Sequence, residues 1–180
     1  MQELLNFLDA HGISYERFDH PAVFTCEEGN LLCPPMPGAK IKNLFITNRN
    51  GSRYYIVSIK EDKRADLKAL EKELGETKLH FASAEAMKTH LGVEPGSVTI
   101  LGLFNDKTHQ VELILDETLR GEALQCHPLV NTATLVISAE DIQSFITATQ
   151  SRSRFLLVPE RSKNLYGHQH PEYEAIQRGS

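Results

Sequence analysis

The stretch that most limits the possible folds is a pair of β-rich runs separated by Asn50-Gly51. The runs are IKNLFIT at 41–47 and RYYIVSI at 53–59. Asn-Gly favours the tight turn of an antiparallel hairpin, because both residues tolerate the positive φ angles that this turn requires. A hairpin within the sheet excludes a purely parallel architecture. The chain is therefore predicted to build a mixed sheet.

Four helices are predicted from the spacing of apolar residues beside helix-starting and helix-stopping residues. They cover 2–11, 67–74, the stretch from Ser83 to Gly92 and the stretch after Ser138. Serine is a favoured N-cap, and Gly12, Gly75 and Gly92 are typical stops because glycine adopts the left-handed backbone without steric cost.

Short strands or extended pieces are predicted between these helices, at 15–18, 22–25, 79–81, 111–115, 135–137 and 155–158. The run EPGSVTILGLFND at 94–106 is predicted to be a turn followed by a strand. The expected fold class is α/β in the sense of mixed α+β, with one domain over 1–163. The polar residues 164–180 are expected to form a flexible tail.

Composition and motifs exclude several classes of protein. Hydrophobic residues make up 41% of the 180 residues, but no apolar run approaches the roughly 20 residues of a membrane helix. The N-terminal residues lack the basic start and continuous apolar core typical of a signal peptide, and the three cysteines form no C-x-x-C pair, so we expect a cytoplasmic protein without disulfides or zinc. Sequence motifs of serine hydrolases, P-loops, zinc proteases and dinucleotide sites are missing. No cofactor, metal site or membrane contact is therefore predicted.

Charge is unevenly distributed along the chain. The net charge of −5 argues against non-specific nucleic-acid binding, and no DNA partner is expected. However, 40–64 carries seven basic residues against two acidic ones, and a second basic cluster contains Arg152, Arg154, Arg161 and Lys163. These stretches are either solvated strand edges and helix ends or local anion-binding faces.

The segment HPLVNTATLVIS at 127–138 combines polar residues with an apolar strand. Pro128 fixes its own φ and restricts His127, so the bend can turn main-chain N–H groups toward a ligand instead of into a strand ladder.

Several motifs together resemble the free-standing prolyl-tRNA editing proteins of the YbaK and prolyl-tRNA synthetase editing-domain superfamily. They are HPAVFT (20–25), MPGAKIKNLFI (36–46), KEDKRADLK (60–68), LGVEPGSVT (91–99), LFNDKTHQVELILD (103–116) and HPLVNTATLVIS (127–138). The last string is most similar to the branch that hydrolyses alanine mischarged onto proline tRNA. The resemblance implies a curved, partly barrel-like mixed sheet flanked by helices, and a trans-editing deacylase that needs no metal. The implied partners are the acceptor end of tRNA(Pro), carrying a small amino acid, and prolyl-tRNA synthetase.

The resemblance also implies roles for individual residues. Lys42 matches the lysine that the family needs for activity, and it would bind the terminal phosphate or polarise the ester. His127 would contact the terminal adenosine or shape the pocket, and Asn131 would orient the bend or the attacking water. The implied substrate-binding residues are Phe24, Thr25, Leu31, Met36, Asn43, Ser97, Phe104, Pro128, Leu129, Val130 and Thr132. Thr134 is expected to pack in the core.

Departures from the family pattern keep alternatives open. Lys40 and Ile41 stand where relatives often carry histidine and threonine, and Leu124 stands where a glycine begins the G-x-x-x-P loop of related domains. The first alternative is a deacylase for cysteinyl- or seryl-tRNA. The second is a non-catalytic domain that binds tRNA or a synthetase.

Overall fold

A mixed sheet of eight strands organises the protein in the computed structural model, which describes residues 1–23 and 25–161. The strand order is β1-β7-β6-β2-β3-β5-β8, and β4 also pairs with β2. The strands are β1 (Glu16–Asp19), β2 (Ala39–Thr47), β3 (Tyr54–Lys60), β4 (His80–Phe81), β5 (Val111–Asp116), β6 (Leu124–Cys126), β7 (Ala133–Ile137) and β8 (Arg152–Leu156). The predicted tail at 164–180 lies outside the described residues.

The β2–β3 hairpin has the antiparallel register that the Asn-Gly turn predicts. Its ladder runs from Ile41↔Lys60 to Thr47↔Tyr54, and Gly51 in the turn has a φ of +63°. The β2–β6, β3–β5 and β5–β8 pairs are parallel. The predicted mixed sheet is therefore confirmed.

Five helices flank the sheet within the described residues. They are α1 (Gln2–Ala10), α2 (Cys26–Leu32), α3 (Leu67–Leu74), α4 (Ala84–Leu91) and α5 (Ala139–Ala148). The four predicted helices are confirmed, and their signals are visible in the structure. Ser83 and Ser138 each accept a hydrogen bond from a main-chain N–H of the first turn, and Gly75 and Gly92 end their helices in the left-handed conformation. No described helix is both long enough and apolar enough to cross a membrane.

The structure differs from the local predictions in two places. The run after Thr99 is a 3-10 helix, Ile100–Asn105, instead of a strand. Thr99 caps it through its hydroxyl, and a Cβ on Gly102 would lie 3.1 Å from Leu91 Cβ, so this turn packs tightly on α4. An apolar run that is buried on all sides has no periodicity that separates helix from strand.

The second difference is helix α2, which is not predicted from the sequence. Thr25, the last residue of the expected extended piece, has an extended backbone and caps α2 in a capping box, in which its hydroxyl accepts from the Glu28 N–H and the Glu28 carboxylate accepts from the Thr25 N–H. The Thr-x-x-Glu spacing was the available signal for this helix.

The two faces of the central hairpin bury different halves of the core. Alternate residues of β2 and β3 contribute to them, because side chains along a strand point to opposite faces. Phe45 and Ile56 pack with α1, α4 and α5, whereas Leu44, Ile46 and Val57 pack with α3. Each such buried side chain contributes about 1.5–3 kcal/mol, so the hairpin is held rigidly from both sides.

Candidate active site

A cleft of about 170 Å³ opens where β2 separates from β6. β2 pairs with β6 only through Ala39 and Lys40, and with β4 only through Ile46 and Thr47. Between these two short ladders no described strand covers this edge of β2. The cleft lies along the gap, which explains why residues of β2 from both faces of the strand contribute to its wall.

The uncovered edge of β2 presents main-chain groups to the cleft. The Ala39 N–H donates to Ala123 O at 2.7 Å and Phe45 O accepts from the Ala82 N–H at 2.9 Å, both across this edge. Peptide groups alternate in direction along a strand, so the N–H and C=O of Asn43 also point toward the gap. This edge offers fixed hydrogen-bonding groups to a bound molecule.

Lys42 and His127 both line the cleft although they belong to different parts of the chain. The parallel register of β2 and β6 aligns Lys40 with Gln125. Two residues further along each segment come Lys42 and His127, so the register brings them level with one another. Along β2, burial increases from the exposed Lys40 through the half-buried Lys42 to the core residue Leu44.

Asn43 lines the cleft, but both ends of its side-chain amide bind other parts of the protein. Its Oδ1 accepts a hydrogen bond of 2.6 Å from the buried Ser58 hydroxyl, and its Nδ2 donates to Val98 O at 3.2 Å. The amide thus ties the Val98 segment, a wall of the cleft, to the central hairpin.

His127 is held in one tautomer. Its Nδ1 lies 3.1 Å from Ala133 O, and because a carbonyl can only accept, this nitrogen carries the proton. Burial lowers the pKa of His127 below its usual 6.5, the Ala133 carbonyl opposes this shift, and nearby His20 lowers the pKa further. The ring is therefore neutral at pH 7, with Nε2 as a hydrogen-bond acceptor.

The bend from His127 to Thr132, which we call the catalytic bend after the roles predicted for His127 and Asn131, is tied to the chain segment that follows β1. The His20 N–H donates to Thr132 O at 3.0 Å and the Val23 N–H donates to Asn131 O at 3.1 Å. Leu129 within the bend has a φ of +66°. These bonds fix the path of the bend and hence the position of His127.

The structure brings five of the predicted site residues to the cleft: Thr25, Met36, Lys42, Asn43 and His127. Five others, Pro128, Leu129, Val130, Asn131 and Thr132, form the bend and do not contribute to the described cleft wall. Ser97 also lies outside that wall, although Gly96 and Val98 beside it belong to it. Phe24 lies outside the described residues.

Leu31 and Phe104, predicted as pocket walls, are placed elsewhere. Leu31 is 83% exposed on α2, where the capping box sets the orientation of the helix. Phe104 packs on Phe7 of α1 with the ring centroids 5.2 Å apart, and the Lys107 ammonium lies over its ring. The 3-10 helix directs Phe104 toward α1 and away from the cleft.

Sequence reasoning missed three polar residues at this site. Thr134, expected to pack in the core, is buried and also lines the cleft, and His20 lies behind it. Gln125 lines the cleft and its Nε2 donates to the carbonyls of Met36 and Pro37. The available signal was the alternation of polar and apolar residues along β6 and β7, in which Leu124, Cys126, Leu135 and Ile137 face the core.

The charged side chains among the described cleft residues are Lys40, Lys42 and Glu61. Two ammonium groups beside one carboxylate suit a substrate that is anionic or that develops negative charge. Within the described residues no three side chains of His, Cys, Asp or Glu converge as a metal site.

Comparison with known proteins gives consistent matches. The family profile described as the aminoacyl-tRNA editing domain matches residues 20–145. The chain is 34% identical over 148 residues to the prolyl-tRNA editing protein ProX of Acetoanaerobium sticklandii, which covers 82% of this chain and 90% of that protein. It is 38% identical over 152 residues to prolyl-tRNA synthetase associated domain-containing protein 1 of Mus musculus, covering 82% and 89% of the two chains.

The fold is also similar to that of a solved structure. The crystal structure of hypothetical protein APE2540 superposes with a TM-score of 0.63 over 84% of this chain and 96% of that chain, at 19% identity. At this identity the similarity concerns the fold alone.

Proposed function

The chain belongs to the aminoacyl-tRNA editing domain family, and from this premise we propose that it is a trans-editing deacylase for alanine mischarged onto tRNA(Pro). The names of its relatives support editing of prolyl-tRNA as the general activity. The observation that carries the proposal is that Lys42 and His127, from separate parts of the chain, line one small cleft.

The size of the cleft supports a small aminoacyl group as the substrate. A synthetase pocket built for proline rejects a smaller amino acid weakly, since one missing methylene is worth only about 1–3 kcal/mol. A second site that excludes proline by size can remove the error. A cleft of about 170 Å³ accommodates a small aminoacyl group such as alanyl.

The proposed reaction is the attack of water on the aminoacyl ester. The ester is already an activated acyl group, so the reaction needs fixed donors at the developing oxyanion and no metal ion. Lys42 and the main-chain N–H groups of the open β2 edge supply those donors. His127 accepts a hydrogen bond from the terminal adenosine through Nε2, and the rest of the catalytic bend, including Asn131 and Thr132, positions it.

Acceptor-stem phosphates are proposed to bind basic residues outside the cleft, in the cytoplasm where translation occurs. Lys40 stands at the cleft, and Arg49, Arg64 and Arg152 are exposed in the two basic stretches. Contacts of this kind supply affinity without reading sequence. Prolyl-tRNA synthetase is the proposed protein partner.

The decisive experiment presents the purified protein with alanyl-, cysteinyl- and seryl-tRNA(Pro) and measures deacylation under single-turnover conditions. We expect hydrolysis of the alanyl ester, and a rate lower by about 10²–10³-fold in Lys42→Ala, because one oxyanion donor is lost. Lys72→Ala, which removes an exposed lysine of α3, is the matched control and keeps the wild-type rate.

Each alternative has its own outcome. Hydrolysis of only the cysteinyl or seryl ester would replace alanine as the substrate. Binding of tRNA(Pro) with no hydrolysis of any ester would favour the non-catalytic domain. An unchanged rate in Lys42→Ala would remove Lys42 from the mechanism.

A further inference from the structure

A buried hydroxyl and a buried imidazole meet at the wall of the cleft. The Thr134 side chain lines the cleft from β7, with only 4% of its surface exposed. Its Oγ1 lies 2.9 Å from Nε2 of His20, a residue 114 positions earlier that is 8% exposed. Burial of two polar groups costs free energy unless they are paired, so this pair is fixed in place.

The proton positions of the pair follow from the second nitrogen of His20. Nδ1 lies 2.8 Å from Pro21 O, a carbonyl that can only accept, so Nδ1 carries a proton. In the tautomer with its single proton on Nδ1, Nε2 is the acceptor, and the Thr134 hydroxyl donates its proton to it. When the hydroxyl donates its proton to Nε2, the oxygen of Thr134 keeps lone pairs that can accept a proton.

We propose that Thr134 and His20 form a proton relay that activates the water attacking the aminoacyl ester. Thr134 is the catalytic residue, because it touches the reacting water, and His20 is a positioning and proton-storing residue that acts through it. The arrangement follows the general logic of a hydroxyl, a base and a group that orients the base, with Pro21 O in the orienting role. This inference rests on the proposed function and adds a base to it.

The relay accounts for every proton in the reaction. The attacking water gives a proton to Thr134 Oγ1 while the hydroxyl proton of Thr134 moves to His20 Nε2, and the water oxygen bonds to the ester carbonyl carbon. When the tetrahedral intermediate collapses, the bond from that carbon to ribose O3′ breaks. The proton returns from His20 through Thr134 to O3′, which leaves as the 3′-hydroxyl of the tRNA together with the free amino acid.

His127 is placed to assist the relay without replacing it. Its ring packs edge-on against that of His20, with the centroids 6.2 Å apart. Its Nδ1–H is committed to Ala133 O, and its lowered pKa keeps it uncharged. An uncharged His127 places no positive charge beside the imidazole of His20.

The test compares variants of Thr134 and His20, together with their controls, with the wild-type protein in single-turnover deacylation of alanyl-tRNA(Pro). Thr134→Val removes the hydroxyl at constant shape, and we expect a loss of about 10²-fold or more in rate, the size of general-base catalysis. Thr134→Ser keeps the hydroxyl and is expected to stay within about tenfold of the wild type. Thr147→Val, on the exposed face of α5, is the control for the substitution itself.

His20→Gln separates a relay from a structural hydrogen bond. Glutamine can still accept a hydrogen bond from Thr134 but cannot store a proton, so we expect the same loss of about 10²-fold with unchanged KM. We also expect the pH–rate profile of His20→Gln to differ from that of the wild-type protein. The ring of His127 packs against that of His20, so the profile of His127→Asn is measured beside it. His11→Gln, at the exposed C-cap of α1, is the control.

Three results would overturn the relay. The first is a wild-type rate in Thr134→Val, and the second is full activity with an unchanged pH profile in His20→Gln. The third is an acyl-enzyme ester on Thr134, found by mass spectrometry after rapid quenching, because it would make Thr134 the nucleophile. If the wild-type protein hydrolyses no ester at all, the proposed function fails and the relay fails with it. Circular dichroism of each variant establishes that a lost rate is not lost folding.

Discussion

Two connections between antiparallel neighbours differ in how they are stabilised. The turn from Asn48 to Arg53 joins β2 to β3, and the catalytic bend joins β6 to β7. The first contains Gly51 at a φ of +63°, and Asn48 Oδ1 accepts from the N–H groups of Ser52 and Arg53. The second has no glycine, yet Leu129 adopts a φ of +66°.

The difference shows where each connection obtains its stability. The β2–β3 turn is closed by its own residues, so its conformation is encoded locally. A leucine in the left-handed region costs about 1–2 kcal/mol, and the catalytic bend offsets this through hydrogen bonds from His20 and Val23, more than 100 residues away in sequence. A bend that must present His127 to a cleft is therefore shaped by the surrounding fold.

The largest expected effect compares one substitution in each connection. His127→Ala removes both the anchor to Ala133 O and the Nε2 acceptor, and we expect the single-turnover deacylation rate to fall by about 10²-fold. Asn48→Ala removes the hydrogen bonds that close the turn, and we expect a loss of about 1 kcal/mol in the free energy of unfolding with an unchanged rate. Deacylation kinetics and urea unfolding measure the two quantities.

His127→Asn refines this comparison, because its amide can still donate to Ala133 O but has no equivalent of Nε2. A rate close to that of the wild type would limit His127 to anchoring the bend. Equal losses of activity in Asn48→Ala and His127→Ala would contradict the division between a structural turn and a functional bend.

A smaller effect is expected from substitutions that remove the glycine at the positive-φ position of the turn and introduce one at the positive-φ position of the bend. Gly51→Ala forces a side chain into the left-handed region, and we expect it to cost about 1 kcal/mol in the free energy of unfolding. Leu129→Gly relieves similar strain but loses the packing of Leu129 on the core. We therefore expect it to lower the free energy of unfolding by under about 2 kcal/mol, which is less than the usual loss when a core leucine is truncated. Urea unfolding of both variants measures this.

The two substitutions also predict opposite patterns of activity. Gly51→Ala should leave deacylation unchanged, whereas Leu129→Gly should lower the rate because a glycine loosens the bend that holds His127. A cost of 4 kcal/mol or more for Leu129→Gly, at the upper part of the range of about 2–5 kcal/mol for buried leucines, would mean that its φ stores no strain.

The parts of the fold that the sequence predicts are those with local signals. The Asn50-Gly51 hairpin and the capped helices at 67–74 and after Ser138 need only neighbouring residues to form, and all appear in the structure. The 3-10 helix Ile100–Asn105 was predicted as a strand because its conformation depends on the contact between Gly102 and Leu91, which no local pattern reveals.

The same division applies to the site. Lys42 and His127 lie in motifs that can be read from the sequence, and the parallel register of β2 with β6 brings them level. His20 was given no role and Thr134 was expected to pack in the core, because their contact joins positions 114 residues apart and neither lies in a spacing typical of catalysis. Only the pairing of β1 with β7 brings them together.

The smallest expected effect is a dependence of stability on pH that belongs to the catalytic bend and not to the β2–β3 turn. Burial lowers the pKa of His127 in the folded protein below its usual 6.5. Above about pH 6.5 both folded and unfolded states carry a neutral ring, so His127 contributes no pH dependence there. As the pH falls further, the unfolded state takes up the proton first. Stability is therefore lost between about pH 6.5 and the lower folded pKa.

His127→Asn removes this titration and keeps the donor to Ala133 O, so the difference between the two proteins isolates it. We expect the wild-type protein to lose more free energy of unfolding than His127→Asn when urea unfolding at about pH 7.5 is compared with about pH 5.5. Asn48→Ala should lose as much as the wild type, because the turn contains no group that titrates in this range. A wild-type protein that gains stability relative to His127→Asn on acidification would mean that the folded bend prefers the charged ring, and the neutral acceptor proposed for the substrate would then be excluded.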